Sequence, residues 1–128
     1  MSKIKMTYIV DDDVIFVFVL KKLLEKNGNF GKMIDFKNGN DAIDILFSKE
    51  SQLPCVILLD LNMPIIDGWQ FLDQLEDSVL KDQLNVYIMS SSIDRSDIEK
   101  SKNYSIVKDF ISKPVNADKL DKILSEIN

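Results

Sequence analysis

Short apolar runs alternate with amphipathic stretches along the whole chain. The apolar runs predict β-strands, and the stretches between them carry apolar residues at helical spacing. The predicted strands are Lys5–Val10, Met33–Phe36, Cys55–Leu59, Val86–Met89 and Val107–Ile111. The predicted helices are Val14–Asn27, Asp41–Lys49, Asp67–Asp77, Asp94–Lys102 and one capped by Asn116. Near-continuous apolar strands that alternate with helices indicate an α/β fold with a parallel sheet covered on both faces.

The composition is that of one ordinary globular domain. The chain has 128 residues, of which 45% are hydrophobic and 29% charged, which favours a single domain with one core over disorder. We expect no effector domain in addition. The net charge of −5 disfavours non-specific binding to nucleic acid. The absence of histidine excludes a histidine base, a Ser-His triad and the common zinc sites.

Neither a secretion signal nor a membrane span is predicted. The stretch Met1–Tyr8 is too short and too polar for the apolar part of a signal peptide. The longest apolar run, Val14–Leu20, is too short to cross a bilayer. The single Cys55 cannot form an internal disulfide, which fits a reducing compartment. We therefore expect a cytoplasmic protein with no membrane partner.

Polar side chains stand at the carboxyl ends of four predicted strands. Asp11 and Asp12 follow the first strand, Asp60 the third, Ser90 the fourth and Lys113 the fifth. Ligands of open α/β sheets bind outside the carboxyl ends of the strands. We therefore expect these carboxylates, the hydroxyl and the ammonium group to lie together at one edge of the sheet.

This set of side chains indicates chemistry with a metal ion and a phosphoryl group. Crowded carboxylates repel one another, and Mg²⁺ removes the conflict because it prefers oxygen ligands. A lysine and a hydroxyl suit the oxygens of a phosphoryl group. Asp60 is the candidate nucleophile, since an aspartate can form an aspartyl-phosphate. Helix capping is the alternative role for Asp11 and Asp12, and we assign that role to Asp13.

These residues, in this order and spacing, resemble the receiver (CheY-like) domain of two-component response regulators. The likeness covers essentially the whole chain and includes the Asp11-Asp12 pair, "LLDLNMPIIDG", Ser90 and "SKP". It implies a doubly wound, flavodoxin-like (βα)5 sheet with strand order 2-1-3-4-5. It also implies that a histidine kinase or a histidine phosphotransfer protein phosphorylates Asp60, with Mg²⁺ required, in two-component or phosphorelay signalling.

The resemblance further implies the metal ligands. Asp12 and Asp60 would bind Mg²⁺ directly, and the backbone carbonyl of Asn62 would be a third ligand. Asp11 would act through a bound water. Asp67-Gly68 is read as a structural turn into the third helix.

The remaining implied roles concern the phosphoryl group and the switch. Lys113 would pair with the acyl phosphate, and Ser90 would hydrogen-bond it and move toward it. Phe110 would turn inward as the switch aromatic once Ser90 moves. The Lys113–Pro114 bond would be cis. The stretch "NYSIVKD" before the fifth strand departs from the family, because it lacks the small Ala-Gly signature usual there.

The first helix carries apolar residues on two faces. The stripe predicted to face the sheet consists of Phe16, Leu20, Leu23 and Leu24, flanked by Val19. Val14 and Phe18 lie on the opposite face and Ile15 at its margin. In the family this helix docks on the phosphodonor, so Val14, Ile15 and Phe18 are predicted to be part of that dock. The alternative is that neighbouring loops cover them.

Two further classes of function stay open at this point. A phosphatase of the haloacid-dehalogenase type also uses a strand-end aspartate, Mg²⁺ and a lysine, and turnover of an external phosphomonoester would favour it. A binding module that is never phosphorylated is the other, although such modules usually lose part of the acidic set. We expect a phosphoacceptor that is not an enzyme beyond its own phosphorylation and dephosphorylation, with an unknown protein as its downstream target.

Overall fold

Five parallel strands form the central sheet of the protein. The computed structural model describes residues 4–48, 53–54, 56–63, 65–91 and 94–127. Strands β1 to β5 are Ile4–Val10, Phe30–Phe36, Val56–Asp60, Val86–Ser90 and Val107–Ser112. They pair in parallel in the order β2-β1-β3-β4-β5. The predicted strand order is confirmed, and β3 lies at the centre of the sheet.

Five α-helices follow the strands in turn, and an aspartate or asparagine caps each one. Helices α1 to α5 are Val14–Asn27, Gly39–Leu46, Gly68–Glu76, Arg95–Ser101 and Ala117–Glu126. Their N-caps are Asp13, Asn38, Asp67, Asp94 and Asn116. In each helix the cap side chain accepts a backbone N–H of the first turn, which an uncapped helix leaves unpaired. The predicted ends at Lys49 and Cys55 lie outside the described residues.

The core consists of one apolar cluster on each face of the sheet. Because side chains alternate between faces along a strand, Met6 and Tyr8 of β1 join the cluster beneath α2 and α3 with Phe71. Ile9 joins the cluster beneath α1 and α5 with Leu120. Both faces of the sheet are therefore covered by helices, which confirms the predicted doubly wound architecture.

Helix α1 is rotated relative to its predicted orientation. Val17, Leu20 and Leu24 are buried against the sheet, while Phe16 and Leu23 are only partly buried. The prediction that Val19 flanks the buried stripe is wrong, since this side chain is 59% exposed. Successive residues are about 100° apart around a helix, so Val19 faces outward when Val17 and Leu20 face the sheet.

The connection between α4 and β5 contacts α3. The Tyr104 hydroxyl donates to Asp73 Oδ1 at 2.5 Å, and the Ser105 hydroxyl donates to Glu76 Oε2 at 2.6 Å. The Tyr104 ring stacks on Trp69 with 5.8 Å between centroids. These contacts hold the connection between α4 and β5 against α3.

Candidate functional site at the carboxyl edge of the sheet

Three carboxylates meet where β1 and β3 end side by side. Asp11, Asp12 and Asp60 each have an oxygen within 4.8 Å of an oxygen of the others. Asp11 is 1% and Asp60 7% exposed, whereas Asp12 is open to solvent. The structure thus brings together the acidic residues that the sequence placed at the strand ends. The cluster is buried on one side and reachable from the other.

Lys113 brings a positive charge to the same place from the end of β5. Its Nζ donates to Asp11 Oδ2 at 2.9 Å and lies 4.0 Å from Asp60 Oδ2. Its backbone N–H donates to the Ser90 carbonyl oxygen at 2.8 Å, so the chain after β5 is anchored to the end of β4. The Lys113–Pro114 bond is cis, as expected.

The charge of Asp60 is incompletely compensated. Burial, followed by the Asp11 carboxylate, raises the pKa of Asp60 above its ordinary value of 3.8. The Asn62 N–H, which donates to Asp60 Oδ1 at 3.2 Å, and the Lys113 ammonium act in the opposite direction. A raised pKa means that the site favours a proton or another cation at Asp60. Three close carboxylates of this kind fit a hard divalent cation such as Mg²⁺.

Two local features hold the acidic residues in place. Asp11 Oδ1 accepts the N–H of Asp13 at 2.9 Å, and Asp13 Oδ1 in turn accepts the N–H of Phe16 at 3.0 Å. Gly68 donates its N–H to the Leu61 carbonyl oxygen at 2.8 Å. A Cβ at Gly68 would lie 2.7 Å from Leu61 Cα, so only glycine lets α3 begin this close to the end of β3. Gly68 was predicted from the sequence to be a turn residue, and it also allows the start of α3 to lie close to the end of β3 at the site.

Ser90 and Phe110 lie on the two strands beyond Asp60. Ser90 ends β4 and is 5% exposed, one position past Met89, which pairs with Asp60 in the sheet. Phe110 is half-buried on the edge strand β5 and packs against the cluster beneath α2 and α3. Their roles as phosphate ligand and switch aromatic stay predictions.

The N-terminal half of α1 presents an apolar surface beside this edge. Val14, Ile15 and Phe18 are 61%, 78% and 57% exposed, so no loop in the described part of the chain covers them. Val19 is exposed on the same helix. These four residues are called the α1 surface below.

One side chain at the site was missed by sequence reasoning. Phe16, assigned there to the core, places its ring centroid 4.1 Å from Lys113 Nζ. Its spacing of three residues from the capping Asp13 was a signal that it belongs to the first helical turn. Lys113 lies 97 residues further along the chain than Phe16, so no sequence pattern could show that its ammonium group lies over the Phe16 ring.

The profile of the family described as "Response regulator receiver domain" matches residues 7–125. The chain belongs to this family. The receiver is 27% identical to the protein PilH of Pseudomonas aeruginosa, over 93% of each protein. It is also 27% identical to the chemotaxis protein CheY of Listeria monocytogenes, over 92% of this chain and 94% of that protein.

Solved structures of receivers agree with this assignment. A two-component response regulator from Cytophaga hutchinsonii superposes with a TM-score of 0.89 at 27% identity, covering 97% of this chain and 96% of that chain. A response regulator receiver protein from Dyadobacter fermentans gives a TM-score of 0.81 at 31% identity, covering 95% of this chain and 96% of that chain. The protein is thus a signalling domain of the two-component type, whose family implies phosphorylation on an aspartate. Within the described residues, no helix has the length and apolar character that spanning a membrane requires.

Proposed function

We propose that Asp60 accepts a phosphoryl group from a histidine kinase or a histidine phosphotransfer protein. The observation that carries this proposal is the convergence of three carboxylates within 4.8 Å, with the Lys113 ammonium 4.0 Å from Asp60 Oδ2. Asp11 is the less suitable acceptor, because it already binds Lys113 Nζ at 2.9 Å and the Asp13 N–H at 2.9 Å. Asp60 ends the central strand, and its contacts with Lys113 Nζ and the Asn62 N–H, at 4.0 Å and 3.2 Å, are longer than those of Asp11.

The transfer itself asks mostly for positioning and charge compensation. An oxygen of the Asp60 carboxylate attacks the phosphorus of the donor's phosphohistidine. The phosphorus–nitrogen bond breaks, and its electron pair returns to the imidazole nitrogen. Lys113 compensates charge on the phosphoryl oxygens, and the Ser90 hydroxyl donates a hydrogen bond to one of them.

The acidic residues around Asp60 would hold Mg²⁺. Asp12 and Asp60 would be the direct carboxylate ligands, the Asn62 carbonyl would be a third ligand, and Asp11 would act through a water. When bound, the ion supplies the positive charge that the crowded carboxylates and the phosphoryl oxygens both need. The raised pKa of Asp60 supports this, because burial and the Asp11 carboxylate disfavour its charged form more than the Asn62 N–H and Lys113 favour it.

Phosphorylation then acts as a switch between two conformations of the domain. The acyl phosphate adds roughly −1.5 to −2 charges and draws Ser90 and Lys113 toward it. Phe110 turns inward, and the surface formed by α4, β5 and α5 changes its protein contacts. The domain catalyses no reaction beyond its own phosphorylation and dephosphorylation.

Labelling with acetyl phosphate tests the acceptor. Wild-type protein is expected to become phosphorylated with Mg²⁺ and not after EDTA treatment, and Asp60→Asn to stay unlabelled. Asp13→Asn is the matched control: it removes a charge two residues from Asp11 and keeps a side chain that caps α1. Label on Asp60→Asn would show that another residue is the acceptor.

The same assay separates the other two classes of function. A phosphatase would release inorganic phosphate catalytically from an added phosphomonoester, and a binding module would acquire no label under any condition. Stoichiometric labelling of Asp60 without phosphomonoester turnover supports the receiver function and contradicts both alternatives.

We further propose that the α1 surface docks on the phosphodonor. Exposed apolar residues beside a reactive edge are typical of an interaction site, and Phe18 is 57% exposed. Phe18→Lys is expected to slow phosphotransfer from the donor protein at least tenfold, because it buries a charge in the apolar contact. Labelling by acetyl phosphate should not change.

Val79→Lys is the control for this prediction, because Val79 is 91% exposed and lies after α3, outside the α1 surface. It should leave both rates as in the wild type. Equal donor transfer rates for Phe18→Lys and the wild type would remove the docking proposal and leave the acceptor proposal intact.

A further inference from the structure

The ammonium group of Lys113 lies close to two carboxylates, those of Asp11 and Asp60. Its Nζ lies 2.9 Å from Asp11 Oδ2 and 4.0 Å from Asp60 Oδ2, and the side chain is 14% exposed. Lysine has a flexible four-carbon stem and three rotatable donors. The contact with Asp11 is the shorter of the two, so any further contact with the ammonium group helps to set its position between the two carboxylates.

The ring of Phe16 makes such a contact. The Lys113 Nζ lies 4.1 Å from the ring centroid, within the distance of about 6 Å at which the face of an aromatic ring attracts a cation. The ring has no lone pair and accepts no conventional hydrogen bond, so the ammonium donors stay available for carboxylate and phosphoryl oxygens. A carboxylate in its place would compete for those donors.

The start of α1 fixes the ring in this place. Asp13 caps the helix and accepts the Phe16 N–H at 3.0 Å, which sets the backbone of the first turn. Side chains on a helix lean toward its N-terminus, so the Phe16 ring lies over the turn that adjoins the acidic residues. The ring is half-buried and packs against the cluster beneath α1 and α5, which limits its movement.

We propose that Phe16 is a positioning residue for phosphoryl transfer to Asp60. Its ring holds the Lys113 ammonium where negative charge develops on the oxygens of the incoming phosphoryl group. The ring contacts none of the reacting atoms and acts only through Lys113. This inference rests on the proposed function of Asp60.

The rate of labelling by acetyl phosphate at saturating Mg²⁺ tests the proposal. Phe16→Leu keeps an apolar side chain and removes the ring face, and Phe16→Met does the same with a more flexible chain. Both are expected to label about three- to tenfold more slowly than the wild type, as the loss of a partly buried cation–π contact implies. Phe16→Tyr and Phe16→Trp keep a ring and are expected to retain most of the rate.

Phe47→Leu is the matched control for loss of a phenylalanine. Phe47 follows α2 and is 46% exposed, so its replacement should leave the labelling rate unchanged. Thermal unfolding of every variant shows whether a lower rate reflects a loss of folded protein.

A double-mutant cycle distinguishes positioning from packing. If Phe16 acts through Lys113, then Phe16→Leu has no further effect on the slow labelling of Lys113→Ala. The proposal is overturned if Phe16→Leu lowers the labelling rate by the same factor in the wild-type and Lys113→Ala backgrounds. It is also overturned if Phe16→Leu and Phe16→Met label at the wild-type rate, or if Phe16→Tyr and Phe16→Trp label as slowly as they do. If the wild type is never labelled, both the proposed function and this inference fail. If the wild type is labelled and the Phe16 variants label at the same rate, this inference alone fails.

Discussion

At the scale of single residues, the proposed chemistry depends on Asp60, a carboxylate whose charged form is disfavoured by its surroundings. Asp60 is 7% exposed, and burial and Asp11 raise its pKa. Because the pKa is higher in the folded chain than in the unfolded chain, the folded chain binds more protons at pH values between the two. The free energy of unfolding that Asp60 contributes is therefore largest below both pKa values and falls as the pH rises through that interval.

Asp60→Asn removes this titration and should stabilise the metal-free protein at pH 7. The difference in Tm between Asp60→Asn and the wild type should shrink as the pH is lowered toward the ordinary aspartate value of 3.8, because the folded wild type then takes up a proton at Asp60. Thermal unfolding in EDTA between pH 4 and pH 8 measures it. A difference that does not vary with pH would contradict the assigned direction of the pKa shift.

Thr7 is a second residue with a buried polar group that the structure does not compensate. Its side chain is 0% exposed, and its hydroxyl oxygen has no hydrogen-bond partner. Thr7→Val replaces the hydroxyl by a methyl group of similar size and is expected to raise the free energy of unfolding by about 1 kcal/mol. Urea unfolding measures this, and Thr7→Ser, which keeps the hydroxyl and loses a methyl, should be less stable than the wild type. A Thr7→Val protein less stable than the wild type would show that the hydroxyl is paired in solution.

At the scale of elements, α1 connects the acidic residues to the exposed α1 surface. Asp13 starts the helix directly after the acidic pair, one face packs on the sheet through Leu20 and Leu24, and the α1 surface stays exposed. Phe16 lies between these faces and reaches Lys113. The placement of this one helix therefore affects the acidic residues, the ammonium group and the proposed dock.

The C-terminal end of α1 permits a quantitative prediction. Gly28 follows the helix with φ of 82°, and a Cβ there would meet no atom within 4 Å. Gly28→Ala therefore introduces only the cost of a left-handed backbone, expected to lower the free energy of unfolding by about 1 kcal/mol. Gly28→Asn should cost less, because asparagine tolerates this conformation better. Chemical denaturation of both variants gives the comparison, and an unchanged stability in Gly28→Ala would mean that the helix end rearranges.

At the scale of the whole molecule, the topology assembles the site from distant segments. The strand order puts β3 between β1 and β4, with β5 at the edge, so residues near positions 11, 60, 90 and 113 meet at one end of the sheet. Each brings a charge or a polar group that is costly to bury alone. Metal binding should consequently stabilise the fold as a whole, since the carboxylates are brought together only in the folded chain.

Mg²⁺ at about one hundred times its Kd is expected to stabilise the protein by about 2.7 kcal/mol. Asp12→Asn should abolish most of this gain, because it removes a proposed direct ligand, whereas Asp13→Asn should keep it. Thermal unfolding with Mg²⁺ and with EDTA measures the difference. Equal Mg²⁺ shifts in Asp12→Asn and the wild type would place the ion elsewhere.

Much of the fold and of the candidate site could be predicted from local patterns in the sequence. Apolar runs and caps set the ten main elements to within a few residues, because strand burial and helix capping depend on neighbours in the sequence. The weaker β2 was predicted from Met33 but begins at Phe30, since pairing with β1 extends it. The rule that ligands bind at carboxyl strand ends was enough to select Asp11, Asp12, Asp60, Ser90 and Lys113.

Side-chain chemistry and short-range periodicity were enough to predict the succession of strands and helices along the chain, the caps and the set of polar groups at the strand ends. The tertiary structure alone decided the rotation of α1, which exposes Val19, and the contact between Phe16 and Lys113. It also decided the raised pKa of Asp60. Each of these depends on the distance and packing of segments remote in the chain, which no local pattern specifies.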